Sequence, residues 1–224
     1  MTHIYEDYIN SLQLLPEDRE ELKKKRGFTD EIIDKYKLKS LIPEDQERII
    51  NNLVVRHGED DVRKAGLIDK SGNIAYALTR KNIIIPYLDK DGKCIYLRAH
   101  KNGLPDIQTQ LYCPYLLQVD RKSSQIVLTE GEFKALALRQ WNITGLGLQG
   151  ISTWTGGKFH DLVKYLREIQ TDKQDFEVVI LFDTEDKNNP EHPKYNDCKN
   201  KPFSKYPNEF CAYILCYKLH KEGF

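Results

Sequence analysis

Three short apolar runs in the second half of the chain, each followed by an amphipathic stretch, constrain the fold more than any other feature. From Ser124 onward the hydrophobic spacing predicts strands at Ile126-Val127-Leu128, Ile143 to Leu148 and Val178 to Phe182. They alternate with predicted helices at Phe133 to Trp141, Phe159 to Ile169 and Glu209 to Leu219. Strand and helix in strict alternation build a parallel sheet with crossover helices, so this half is expected to be an α/β domain. The chain ends at His220-Lys221-Glu222-Gly223-Phe224, where the pattern calls for another strand, and it is therefore expected to be part of a longer polypeptide.

The first half reads differently. Between Tyr5 and about Ala65 the apolar residues (Leu12, Leu15, Leu22, Ile32, Ile33, Tyr36, Ile49, Ile50, Leu53, Val54) fall at helical spacing in a charge-rich background, which predicts short helices. Two of them should meet at Gly27, with Thr29 starting the second, and Pro43 should open the next. From Ala75 to Arg98 the pattern becomes β. Asn82 to Tyr87 is rich in isoleucine, Asp89-Lys90-Asp91-Gly92 is a turn, and Cys94 to Leu97 returns as the second arm of a hairpin. An irregular connection follows, with a short strand expected near Gln110 to Tyr112.

Composition narrows the functional classes. An apolar fraction of 40% supports an ordinary core. No apolar run approaches the roughly 20 residues of a membrane span, and MTHIYEDYINSLQ lacks the pattern of a secretory leader. A soluble cytoplasmic protein is expected. A net charge of zero gives no global attraction to nucleic acid, so any such contact must be local. The five cysteines, Cys94, Cys113, Cys198, Cys211 and Cys216, form no C-x-x-C pair, which argues for reduced thiols rather than disulfides or a zinc ribbon.

In open parallel sheets, ligands bind beyond the carboxyl ends of the strands. Two acidic groups fall there: Glu130, within Thr129-Glu130-Gly131-Glu132 after the first strand, and Asp183-Thr184-Glu185-Asp186 after the third. Taken singly, such acids are usually solvated or cap helices. If the two strands are neighbours, the acids converge on one edge, where mutual repulsion suits them to a hard divalent cation that also bridges phosphate. Gly131 permits a sharp turn that presents Glu130, and Lys134, about one turn into the next helix, can reach a phosphate or pair with the acids. Gly145, Gly147 and Gly150 leave room for a backbone or ligand to come close.

The strings IVLTEGEFKALAL and VVILFDTED resemble the paired motifs of the TOPRIM fold, shared by primases, topoisomerases and several nucleases. The resemblance is greatest to the TOPRIM-like domain of phage and plasmid replication proteins. It implies that Glu130 is the family glutamate and Asp183 the first acid of the Asp-x-Asp pair, both holding Mg²⁺ or Mn²⁺ for phosphoryl transfer. The second acid departs from the pattern: it is Glu185, with Asp186 as the alternative ligand. Upstream, NIIIPYLDKDGKCIYLRAHK is similar to the strand, turn and basic strand before TOPRIM in bacterial primase cores, where Arg98 and Lys101 would face template or nucleotide phosphates.

The expectation is therefore a helical module over residues 1–75, a small β module with a basic strand over 76–122, and a TOPRIM-like domain over 123–224. The implied activity is primase-like synthesis of short oligonucleotides on single-stranded DNA from nucleoside triphosphates. A helicase, in the same chain or separate, is an implied partner. A nuclease with the same metal site and a non-catalytic nucleic-acid-binding TOPRIM module are the alternatives. Blander readings stand beside these. Arg80, Lys81, Arg98 and Lys101 equally suit ordinary surface charge, and Lys23 to Arg26 a solvated helix end. Trp154 can pack in a loop or stack on a base. His192, Asp197 and Cys198 lack zinc-ligand spacing, and the Lys187 to Pro207 segment that carries them reads as a loop or a lid.

Overall fold

Local signals set the helix boundaries of the N-terminal half. The computed structural model describes residues 2–89, 91–100, 125–150, 157–170, 176–183 and 207–224. Helix α1 spans Thr2–Asn10, α2 Pro16–Arg26 and α3 Asp30–Lys35. Gly27 ends α2 in the left-handed region at φ 68°, and the Thr29 hydroxyl caps α3 by accepting from the Ile32 amide at 3.3 Å, so the expected turn is present. Pro43 opens α4 (Pro43–His57), and α5 (Glu59–Lys64) follows. The basic run at the end of α2 is neutralised locally: Lys23 meets Asp30 at 2.9 Å, Lys24 meets Glu20 at 3.3 Å and Lys25 meets Glu21 at 2.9 Å.

Three strands complete this unit, in the antiparallel order β1 (Lys39–Leu41), β2 (Asn82–Leu88), β3 (Cys94–Ala99). The hairpin β2–β3 matches the expectation. Strand β1 was not foreseen, because Lys-Ser-Leu is too short to show an alternating pattern; it is recruited by pairing with Asn82 to Ile84. Helix α1 packs against both β3 and α4, and its buried Tyr8 hydroxyl donates to Gln46 Oε1 at 2.7 Å. Helices and hairpin thus share one core, built on Tyr5, Ile9, Ile33, Leu41, Ile49 and Tyr96.

A second compact unit contains the C-terminal elements. Strands β4 (Gln125–Glu130), β5 (Thr144–Leu148) and β6 (Glu177–Leu181) form a parallel sheet in the order β5-β4-β6. Helices α6 (Glu132–Gln140), α7 (Gly157–Gln170) and α8 (Pro207–Lys221) flank it, as the alternating pattern predicts. Helix α6 packs on β5 and β4 and α8 on β6, and Ala135, Leu136, Leu162, Leu166, Leu215 and Leu219 are buried, as are Ile126, Leu128, Leu146 and Leu148 of the sheet. The protein is therefore α/β, with a parallel sheet flanked by helices and preceded by a small helical and antiparallel β unit. Among the described residues no helix is long and apolar enough to cross a membrane, and Cys94, Cys211 and Cys216 are free thiols.

The sheet order matters for function. With the first strand in the middle, the chain leaves β4 towards β5 on one side while β6 lies on the other. Such a reversal opens a crevice at the carboxyl ends of the strands.

Candidate active site

Strand register brings two distant acids to that crevice. Thr129 pairs with Leu181 across β4 and β6, so Glu130, the last residue of β4, and Asp183, two residues beyond β6, emerge at the same edge. Gly131 then turns the chain into α6 with φ 83° and ψ 159°, a conformation that side chains rarely tolerate. Its amide donates to the Leu148 carbonyl at the end of β5. Helix α6 consequently starts immediately beside the carboxylates.

Lys134 lies one helical turn from Glu130 and links the two acids. Its Nζ donates to Glu130 Oε1 at 2.9 Å and meets Asp183 Oδ2 at 2.6 Å. The side chains are graded in exposure, 21% for Glu130, 37% for Lys134 and 63% for Asp183, so the cluster runs from the sheet edge outward to solvent. Glu130 and Asp183 are close enough for each carboxyl to alter the proton affinity of the other. Burial, and then the neighbouring Asp183, raise the proton affinity of Glu130 above that of an ordinary glutamate, with Lys134 opposing. Asp183 moves the other way: the neighbouring Glu130, and then Lys134, hold its carboxyl below the usual range.

Two supporting contacts hold the constellation. Gly145 of β5 faces α6, where an added Cβ would come within 3.0 Å of Leu138 Cδ1 and 3.1 Å of Ala135 Cα. The glycine thus serves close helix-to-sheet packing next to Lys134. Asn208, in the first turn of α8, donates from Nδ2 to the Asp183 backbone carbonyl at 2.7 Å. No sequence signal marks Asn208, since a single side-chain bond across 25 residues leaves no pattern.

The remaining candidates divide. Arg98 lies on β3 opposite Ile85, half-buried in the N-terminal unit. Lys101, Glu185 and Asp186 lie outside the described residues, as do Trp154, His192, Asp197, Cys198 and the strand expected at Gln110 to Tyr112. Among the described residues no group of three or more metal-ligating side chains occurs; the acids brought together there are Glu130 and Asp183.

Solved structures similar to this chain include catalytic cores of DnaG primases. A DnaG primase catalytic domain bound to ssDNA superposes with a TM-score of 0.56 at 20% identity, covering 80% of this chain and 59% of that one. The DnaG catalytic core gives 0.54 at 15% identity over 80% and 60% of the two chains. The RNA polymerase domain of Mycobacterium tuberculosis primase DnaG, in complex with double-stranded DNA, gives 0.53 at 15% identity over 80% and 61%. The fold is thus that of a DnaG-type primase core, and the chain spans about three fifths of the length of these solved chains. Residues 116–200 match a family described as a domain of unknown function, DUF3854. No curated protein matches the chain.

Proposed function

We propose that the chain is the core of a primase-like nucleotidyltransferase. It would make short oligonucleotides on single-stranded DNA by Mg²⁺-dependent phosphoryl transfer, in the cytoplasm, during replication of a phage, plasmid or other mobile element. The observation that carries this reading is the meeting of Glu130 and Asp183 around one positive charge at the carboxyl edge of the sheet. The primase fold, and a neighbour solved with ssDNA, direct the choice among TOPRIM activities.

The donor set fits a hard divalent cation. Two carboxylates from separate strands already hold an ammonium between them, and oxygen-only donors at a solvent-facing rim leave room for retained waters. When bound, Mg²⁺ or Mn²⁺ would bridge phosphate oxygens and neutralise the charge that develops on the transferring phosphoryl group. Glu130 and Asp183 hold that ion, with Glu185 or Asp186 completing the set. Deprotonation of the attacking 3′-hydroxyl would be assisted by the ion that these acids hold. Lys134 would position phosphates at the metal edge, and Arg98 and Lys101 of the N-terminal half would contact phosphates of the template or of the nucleoside triphosphate. Segments 1–75, 76–122 and 123–224 act as helical module, basic β module and metal-holding domain, and a helicase delivers the template.

The test is incubation with single-stranded DNA, labelled nucleoside triphosphates and Mg²⁺ or Mn²⁺, for the parent, Glu130→Gln and Asp183→Asn. New short oligomers, lost in both variants, support the proposal. A shortened template would identify a nuclease using the same acids. DNA binding without either product would identify a non-catalytic module.

A further inference from the structure

Lys134 occupies the position that the divalent cation needs. Its Nζ lies 2.9 Å from Glu130 Oε1 and 2.6 Å from Asp183 Oδ2, the facing oxygens of the two acids. An ion bonded to those oxygens at about 2.1 Å on the side that Lys134 occupies would fall inside the volume of the ammonium group. An ammonium carries three donors and no lone pair, so it cannot become a ligand and must leave when the ion enters. The geometry points to Lys134 as a built-in counter-ion, which closes the acid pair in the absence of metal and competes with the divalent cation for it. This inference rests on the reading of Glu130 and Asp183 as the metal-holding acids.

The surroundings support exchange. The Lys134 side chain is 37% exposed, so its flexible stem can carry Nζ into water without unpacking the core. The i,i+4 spacing from Glu130 keeps the departing charge tethered at the rim. Two carboxylates sharing one edge would otherwise repel each other, and the lysine offsets that repulsion until a stronger cation arrives. A site built this way binds metal more weakly than its acids alone would allow. Removing the lysine charge should therefore tighten metal binding, although the lysine belongs to the working site.

The test is titration of the 224-residue protein with Mn²⁺, following free Mn²⁺ by its paramagnetic resonance signal, without nucleic acid or nucleotide. Lys134→Met and Lys134→Gln should each bind Mn²⁺ about tenfold more tightly than the parent, the scale expected for removing one positive charge a few ångströms from a divalent ion. Lys134→Arg, which retains the charge, should stay near the parent, and Glu130→Gln should lose binding. Circular dichroism melts identify any variant that has not folded, and having two neutral replacements guards against the failure of one. If the folded neutral variants bind no more tightly than the parent while Glu130→Gln still abolishes binding, the counter-ion role is overturned and the acid-pair reading survives. If Glu130→Gln leaves binding intact, or if no variant binds Mn²⁺, both fall.

Discussion

Gly145 of β5 lies so close to Ala135 of α6 that a Cβ at position 145 would sit 3.1 Å from the Ala135 Cα and 3.2 Å from its carbonyl oxygen. Those neighbours are backbone atoms, which cannot rotate away. Gly145→Ala should push α6 off the sheet, move the adjacent Lys134, and destabilise the domain by about 1–3 kcal/mol, the usual cost of overpacking. Urea denaturation measures this; a midpoint equal to that of the parent would mean that the helix does not rest on this glycine.

Gly131 separates backbone strain from crowding. Its φ of 83° is unfavourable for a side chain, yet no atom lies within 4 Å of an added Cβ. Gly131→Ala should therefore cost about 1–3 kcal/mol through backbone conformation alone. Because the turn sets both Glu130 and the start of α6, it should also reduce any metal-dependent activity. Retention of full stability would show that the turn relaxes to another conformation.

The raised proton affinity of Glu130 makes stability depend on pH with a definite sign. A carboxyl that holds its proton more tightly when folded contributes stability that is complete below its unfolded pKa and is lost as pH rises through the folded value. At neutral pH in metal-free buffer, Glu130→Gln should therefore melt at a higher temperature than the parent, and the gap should close on acidification to about pH 4. A less stable Gln variant at neutral pH would indicate that the pairing with Lys134 outweighs desolvation of the carboxylate.

Asp7 acts in the opposite sense. Arg56 Nη1 and His57 Nε2 each lie 2.8 Å from its Oδ2, joining α1 to the end of α4. The hydrogen bond from Arg56, then that from His57, holds the Asp7 carboxyl below its ordinary range. This contribution is present above the unfolded pKa and lost as pH falls through the lower, folded value. Asp7→Asn should thus lower stability at neutral pH and flatten its decline between about pH 4 and pH 2. Parallel stability curves for parent and variant would contradict the linkage.

Much of the site was legible because its acids adjoin unmistakable strands. The run Ile126-Val127-Leu128 and the run Val178 to Leu181 announce buried parallel strands, and Glu130 and Asp183 sit at their ends. Glu130 proved to be the last residue of β4 rather than lying two residues beyond a strand ending at Leu128, a shift of strand boundary that leaves it on the same edge. The i,i+4 relation between Glu130 and Lys134 could be read directly, but the bond from Lys134 to Asp183 depends on β6 lying beside β4, which no local pattern encodes. For the same reason β1 escaped notice: three residues become a strand only because β2 offers them an edge. Gly145 stood out as a point of close approach, and what approaches it is α6.

The sharing of one cation by Glu130 and Asp183 is tested most directly by diffraction from crystals soaked in Mn²⁺, with data collected where manganese scatters anomalously. A single strong anomalous peak is expected within about 2.1–2.3 Å of a carboxylate oxygen from each residue, with Lys134 Nζ displaced from between them. A peak bound elsewhere, or soaked crystals in which Lys134 still bridges the two acids with no ion beside them, would contradict it.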